Sequence, residues 1–179
     1  CSARRRAAER IRKLAGDFRR GKGRLIMLNP GDAAPDVRYA KLDGGEAAIA
    51  DHKGRALVLY FYPKDDTTGC TREAQDFTAL AADFAKAGAD IVGISKDSIK
   101  SHAKFVDKYG LKVALGSDES GAVCEAFGVW VEKSMYGRTY MGIERSTFLI
   151  DANGKIARVW RKVKVASHAA DVLEAVKAL

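Results

Sequence analysis

The sequence predicts an α/β domain built on a mixed central sheet with helices on both faces, and three observations carry that reading. Beyond about residue 55, short apolar runs alternate with segments of helical period. Glycines Gly88, Gly110 and Gly128 each stand where a helical pattern stops. The chain then closes on a hairpin signal followed by one more amphipathic segment.

Taken in order, Asn29-Pro30-Gly31-Asp32 and Ala34-Pro35-Asp36 are turn chemistry. Val37 to Leu42 and Ala47 to Ala50, joined through Asp43-Gly44-Gly45, read as a short hairpin. Ala56 to Tyr62 is a continuous apolar run of strand length, hence a buried strand. Cys70 to Ala87 has apolar positions Phe77, Leu80, Ala81 and Phe84 at helical spacing. A strand follows at Ile91 to Ser95, a helix at Ile99 to Tyr109, a short strand near Val113 to Leu115 and a helix from about Ser120 to Phe127. Ser146 to Ile150 and Ile156 to Trp160 flank the turn Asp151-Ala152-Asn153-Gly154, and His168 to Ala178 is the closing helix. Strands alternating with helices, ended by a hairpin and a helix, make a thioredoxin-like arrangement. The aromatic residues Phe61, Tyr62, Phe77, Phe84, Phe127 and Phe148 are assigned to its core, while Trp130, Tyr136 and Met141 are candidates for the approach to a site.

Composition bounds the rest. The chain has 179 residues, 47% of them apolar, and no run of about 18 apolar residues, which reads as one soluble domain. Three cysteines with no C-x-x-C pair argue against a disulfide framework, a structural zinc site and a dithiol oxidoreductase, and make a reducing, cytoplasmic setting the expectation. His52, His102 and His168 lie in separate segments without metal-ligand spacing, so solvated or capping roles are expected of them and no metal is.

Cys70 is the residue that carries chemistry. It closes the segment Leu57-Val58-Leu59-Tyr60-Phe61-Tyr62-Pro63-Lys64-Asp65-Asp66-Thr67-Thr68-Gly69-Cys70, an apolar strand that breaks at a proline and runs into a helix. A thiol there faces the positive end of the helix dipole and free backbone N–H groups, which favour thiolate. A buried core thiol is the plain alternative, but Thr67-Thr68-Gly69 is polar for a core. Thr67 has a hydroxyl that accepts from one partner and donates to another, which suits it to align a substrate with the sulfur; a turn or N-cap role is its plain alternative.

The frame P-x-x-x-T-x-x-C formed by Pro63, Thr67 and Cys70 resembles the reactive-cysteine motif of the peroxiredoxins, thiol peroxidases that use neither metal nor haem. The stretch Tyr136 to Asp151, with Ile143-Glu144-Arg145-Ser146-Thr147-Phe148-Leu149-Ile150-Asp151, is similar to the C-terminal half of the bacterioferritin-comigratory, or peroxiredoxin Q, subfamily, whose layout the chain follows from about Leu28 to Leu179. The resemblance implies a thioredoxin-like fold and no cofactor. It implies that Cys70 attacks a peroxide and becomes a sulfenic acid, that Arg145 lies over the cysteine, and that Pro63 shields it from water. A free thiol, with a pKa of about 8.5, is only a few per cent ionised at neutral pH, so such a site must favour the anion. An arginine suits the task because it keeps its charge and presents a planar fork of donors; on spacing alone Arg145 would read as a surface ion pair, for instance with Glu144.

Two departures matter. Many members place a second, resolving cysteine five residues after the first, where this chain has Gln75, and others place it around Phe105 to Asp107, where it has none. Cys124 is the only other cysteine after the tail, and with Val123 and Phe127 at helical spacing it reads as a small core residue rather than a resolving thiol. The expectation is a one-cysteine peroxidase, reducing hydrogen peroxide and organic hydroperoxides at the expense of thioredoxin, glutaredoxin or a small thiol, and monomeric. An atypical two-cysteine enzyme using Cys124 is the alternative, as is a basic binding module with a vestigial peroxidase domain.

The net charge of +8 belongs to residues 1–26, which hold ten basic residues against Glu9 and Asp17; residues 27–179 balance at 21 basic and 21 acidic. No nucleic-acid partner is therefore expected of the domain. The segment 1–26 reads as a disordered or helical extension with four explanations: a basic arm for nucleic acid or anionic membrane, an Arg-rich transit peptide, a lipidated Cys1, or translated sequence upstream of a start at Met27. The last has the plainest support, because the family layout begins just after Met27.

Overall fold

The computed structural model describes residues 27–179; the basic segment 1–26, and every reading attached to it, lies outside them. The strands are β1 (Arg38–Lys41), β2 (Glu46–Ala48), β3 (Ala56–Phe61), β4 (Ala89–Ser95), β5 (Ala114–Ser117), β6 (Trp130–Met135), β7 (Arg138–Ile143), β8 (Ser146–Ile150) and β9 (Ile156–Trp160). The helices are α1 (Thr68–Ala79), α2 (Ala81–Lys86), α3 (Ile99–Tyr109), α4 (Ala122–Ala126) and α5 (His168–Lys177), with a 3₁₀ turn at Ile49–His52. Seven strands form one sheet in the order β2-β1-β5-β4-β3-β8-β9. β3 pairs in parallel with β4 and antiparallel with β8, so the sheet is mixed.

β3 lies in the interior of the sheet, between β4 and β8, and every one of its residues is buried. Its alternate side chains serve two cores. Val58, Tyr60 and the following Tyr62 point to the face covered by α1, α2, α3 and α5, among Cys70, Phe77, Phe84, Phe105, Val172 and Val176. Leu57, Leu59 and Phe61 point to the other face, among Val123, Cys124, Phe127, Phe148 and Ile150. Full burial of each such side chain contributes roughly 1.5–3 kcal/mol, which makes this strand a firm anchor for the loop and helix that continue from it. Its partner β4 admits the Tyr60 ring because position 93 is glycine: a Cβ there would lie 2.5 Å from the ring.

Three expectations are corrected. The helix predicted over Cys70 to Ala87 is two helices that break at Leu80 (φ −101°, ψ 5°), a bend that neither glycine nor proline announces. The hairpin β6–β7 is absent from the predicted elements. Among the described residues its strands pair only with each other and, apart from the buried Ile143, lie half-exposed or exposed, so they carry no stripe of alternating apolar residues; its turn, Tyr136-Gly137, has positive φ at both positions (52° and 76°). Tyr136, a candidate for the site approach, is 98% exposed at that tip, and Met141 is half-exposed on β7. Finally, His102 and His168 are buried rather than solvated.

Candidate active site

Loop 62–67 leaves β3 and enters α1. Tyr62 N–H still bonds to the carbonyl of Ile94 at 3.1 Å, and Pro63, exposed and without an N–H, ends the ladder. Asp66 takes a left-handed turn (φ 58°) and Thr67 becomes the N-cap of α1. The first helical bond is Thr71 N–H to Thr67 C=O at 2.8 Å, so the amides of Thr68, Gly69 and Cys70 have no partner inside the helix. Cys70 sits in that first turn at the positive end of the helix dipole. The Thr67 side chain does not cap the helix; its hydroxyl donates to the carbonyl of Lys64 at 2.9 Å, which leaves the oxygen free to accept.

Arg145 arrives from the other side of β3. The antiparallel pairing Phe61↔Ser146 brings the residue before β8 alongside the start of the loop. Its guanidinium donates from Nη2 to Cys70 Sγ at 3.2 Å and from Nη1 to Glu73 Oε1 at 3.4 Å. Gly69 makes room for this, since a Cβ there would sit 3.2 Å from Nη2. Cys70 is only 2% exposed and packs against the helical-face core, more deeply than the polar residues before it suggest.

Glu73 is the residue of the candidate site that motif reading missed, although its i+3 spacing from Cys70 puts the two on one face of α1. It is 1% exposed, and burial, opposed by the Arg145 charge, pushes its carboxyl up to about 7. Its Oε2 and the hydroxyl of Tyr60 are buried without a hydrogen-bond partner among the described residues. Burial, then the charges of Glu73 and Cys70, push the Tyr60 phenol well up, so it stays protonated. Lys133 of β6 completes the surroundings: burial and the nearby Arg145 lower its pKa, while Glu144 and Cys70 oppose them.

A cysteine under a guanidinium at a helix start, on a strand-loop-helix connection after a central strand, is the arrangement that the sequence resemblance implies. The AhpC/TSA family model matches residues 30–159. This chain belongs to the peroxiredoxins. Peroxiredoxin Bcp of Xanthomonas campestris is 54% identical over 143 residues, 80% of this chain and 89% of that protein. Peroxiredoxin Bcp of Bacillus subtilis is 47% identical over 152 residues, 85% of this chain and 97% of that protein. Among solved structures, the Xanthomonas campestris bacterioferritin comigratory protein, described with its alkyl peroxide reduction activity, superposes with a TM-score of 0.78 at 49% identity, covering 84% of this chain and 96% of that one. A mutant of Xylella fastidiosa PrxQ superposes with a TM-score of 0.81 at 39% identity, covering 86% and 98%. The fold of this peroxiredoxin is accordingly thioredoxin-like, and the enzyme is a thiol-dependent peroxidase. Among the described residues no helix is long and apolar enough to cross a membrane.

Cys124, the second cysteine of the peroxiredoxin domain, is fully buried in the core on the opposite face of the sheet from Cys70. Its N–H bonds to Asp118 Oδ2 at 2.9 Å, and burial together with that carboxylate pushes its thiol far up. The histidines form no shared site either. His168 packs against Phe77 and Trp160 with Nε2 2.7 Å from the Thr147 hydroxyl, and burial lowers it to about 4. His102 meets Asp65 and Asp97, whose ligating atoms all lie within 4.8 Å. These atoms are already engaged with one another and with neighbouring hydroxyls and amides, so the trio is a hydrogen-bond network.

Proposed function

We propose that this peroxiredoxin is of one-cysteine type and reduces hydrogen peroxide and small organic hydroperoxides through Cys70, drawing electrons from an external thiol such as thioredoxin, glutaredoxin or a low-molecular-weight thiol. Cys70 attacks the terminal peroxide oxygen; an S–O bond forms, the O–O bond breaks, and the second oxygen leaves as water or alcohol after taking up a proton. Arg145 holds the thiolate and the charge that moves onto the peroxide. Thr67, with its own hydrogen on Lys64, accepts from the peroxide hydroxyl, the unpartnered amide of Cys70 donates to it, and Pro63 covers the loop side. Two external thiols then reduce the sulfenic acid, giving their disulfide and water.

The observation that carries the one-cysteine reading is the place of Cys124. It lies across the sheet from Cys70, and its surroundings oppose the thiolate that resolution would need. The domain, residues 27–179, works as a monomer in this reading. The test is mass spectrometry after one equivalent of peroxide: a dimedone-trappable sulfenic acid on Cys70 is expected, with Cys70→Ser inactive but folded. A quantitative Cys70–Cys124 disulfide would replace the reading with an atypical two-cysteine enzyme. Sedimentation at working concentration checks the monomer.

A further inference from the structure

The loop that carries Pro63 and Thr67 is held in place by a buried acid–imidazole pair that no motif points to. Asp65 is 7% exposed and His102 of α3 is 0% exposed. His102 Nε2 lies 3.0 Å from the carbonyl oxygen of Gly116, which only accepts, so Nε2 carries a hydrogen. His102 Nδ1 lies 2.7 Å from Asp65 Oδ2. Two acceptors do not face each other at that distance, so one proton sits in the contact, as an imidazolium with a carboxylate or as an imidazole with a carboxylic acid.

The rest of the cluster does not supply that proton. Asp65 Oδ1 accepts from the Tyr62 hydroxyl at 2.6 Å and Oδ2 from the Ser101 hydroxyl at 2.8 Å, while Asp65 N–H donates to Asp97 Oδ2 at 2.8 Å. Asp97 in turn accepts from the Ser95 hydroxyl at 2.6 Å, and its carbonyl from the Ser117 hydroxyl at 2.6 Å. The titratable groups that face His102 are thus Asp65 and, at 3.3 Å, Tyr62, with Asp97 behind them. Burial drives the Tyr62 phenol far up, so it remains a donor. A second tie runs beside the first: Asp66, in its left-handed conformation, bonds to Lys108 Nζ at 2.8 Å and to the Tyr109 hydroxyl, both on α3. Two consecutive loop residues are therefore fastened to one helix, and the next residue is the N-cap that aims Cys70.

We propose that Asp65 and His102 are positioning residues of the peroxide step, holding loop 62–67 and the first turn of α1 in the reactive geometry through the one buried proton they share. The idea rests on Cys70 as the attacking thiol. It separates the two half-reactions. Peroxide attack needs the loop closed so that Thr67, the Cys70 amide and Arg145 converge, whereas reduction by an external thiol needs access to a sulfur on a residue that is 2% exposed. Releasing the clamp slows the first and does not slow the second, which general destabilisation would not do.

The experiment is stopped-flow oxidation of the wild type, Asp65→Asn and His102→Asn by hydrogen peroxide, with a separate measurement of sulfenic acid reduction by dithiothreitol. The variants are expected to oxidise about tenfold to 10²-fold more slowly, the upper figure being what a displacement of about an ångström can cost, with reduction as fast as in the wild type or faster. Asp66→Asn, which weakens the parallel exposed tie to Lys108 and Tyr109 and leaves the buried pair intact, should move the same two rates in the same directions by a smaller factor. Unchanged oxidation rates in both buried-pair variants overturn the proposal, and if neither of them folds, an unchanged rate in Asp66→Asn overturns it. A wild type that peroxide does not oxidise at Cys70 overturns the one-cysteine reading instead.

Discussion

Replacing Glu73 by glutamine tests the electrostatics of the site most directly, because the structure makes a signed, quantitative demand. The carboxyl is 1% exposed and is pushed up from its ordinary 4.5 to about 7 by burial, with Arg145 offsetting only part of the penalty. Between those two values the folded protein holds a proton that the unfolded chain has released. Stability therefore falls as pH rises through this window and stays reduced above it, by about 3 kcal/mol when the whole difference is expressed. Glutamine matches the protonated form in shape and does not titrate. Urea titrations at about pH 5 and about pH 8 should show the wild type losing stability between the two by an amount of that order, and Glu73→Gln lacking this loss. The comparison between pH values within each protein cancels whatever the variant forfeits in its contact with Arg145. An equal pH dependence in both proteins would refute the assignment of a buried, titrating Glu73.

Arg145→Lys keeps the charge but loses the fork that reaches Cys70 and Glu73 together, and peroxide consumption should fall about 10²-fold, the usual order for one lost donor of this kind; a rate within twofold of wild type would remove Arg145 from the site. In Gly69→Ala the added Cβ meets Arg145 Nη2 at 3.2 Å, so the oxidation rate should drop about tenfold with little change in melting temperature, and an unchanged rate would mean that the guanidinium has slack. Cys124→Ala should retain full activity with a small-thiol donor at a cost of about 1 kcal/mol in stability, and loss of turnover there would point to resolution by Cys124. His168 is held neutral by burial, at about 4 against an ordinary 6.5, so the unfolded chain binds the extra proton in that interval. Stability should decline as pH falls through it, by up to about 3 kcal/mol, and His168→Gln should flatten that acid limb; an unchanged limb would mean the histidine titrates normally.

The sequence by itself determined the elements whose periodicity is forced by burial. β3 is apolar at every position because both of its faces are covered, and α3 ends at Gly110, whose left-handed conformation closes the helix. It also singled out Cys70 as the candidate nucleophile, since a thiol three residues into a helix after a proline-ended strand owes its surroundings to local chain geometry. Local signals could not show what comes together through the sheet. The partnership of Cys70 with Arg145 spans 75 residues and depends on the antiparallel register of β3 with β8. The β6–β7 hairpin buries no continuous face, so it left no alternating pattern to read. The histidines reversed their expected exposure because compensation for burying them comes from distant partners, Asp65 and the Gly116 carbonyl for His102 and Thr147 for His168. A polar residue is worth burying only where the fold supplies its hydrogen-bond partners, and that supply is set by tertiary structure.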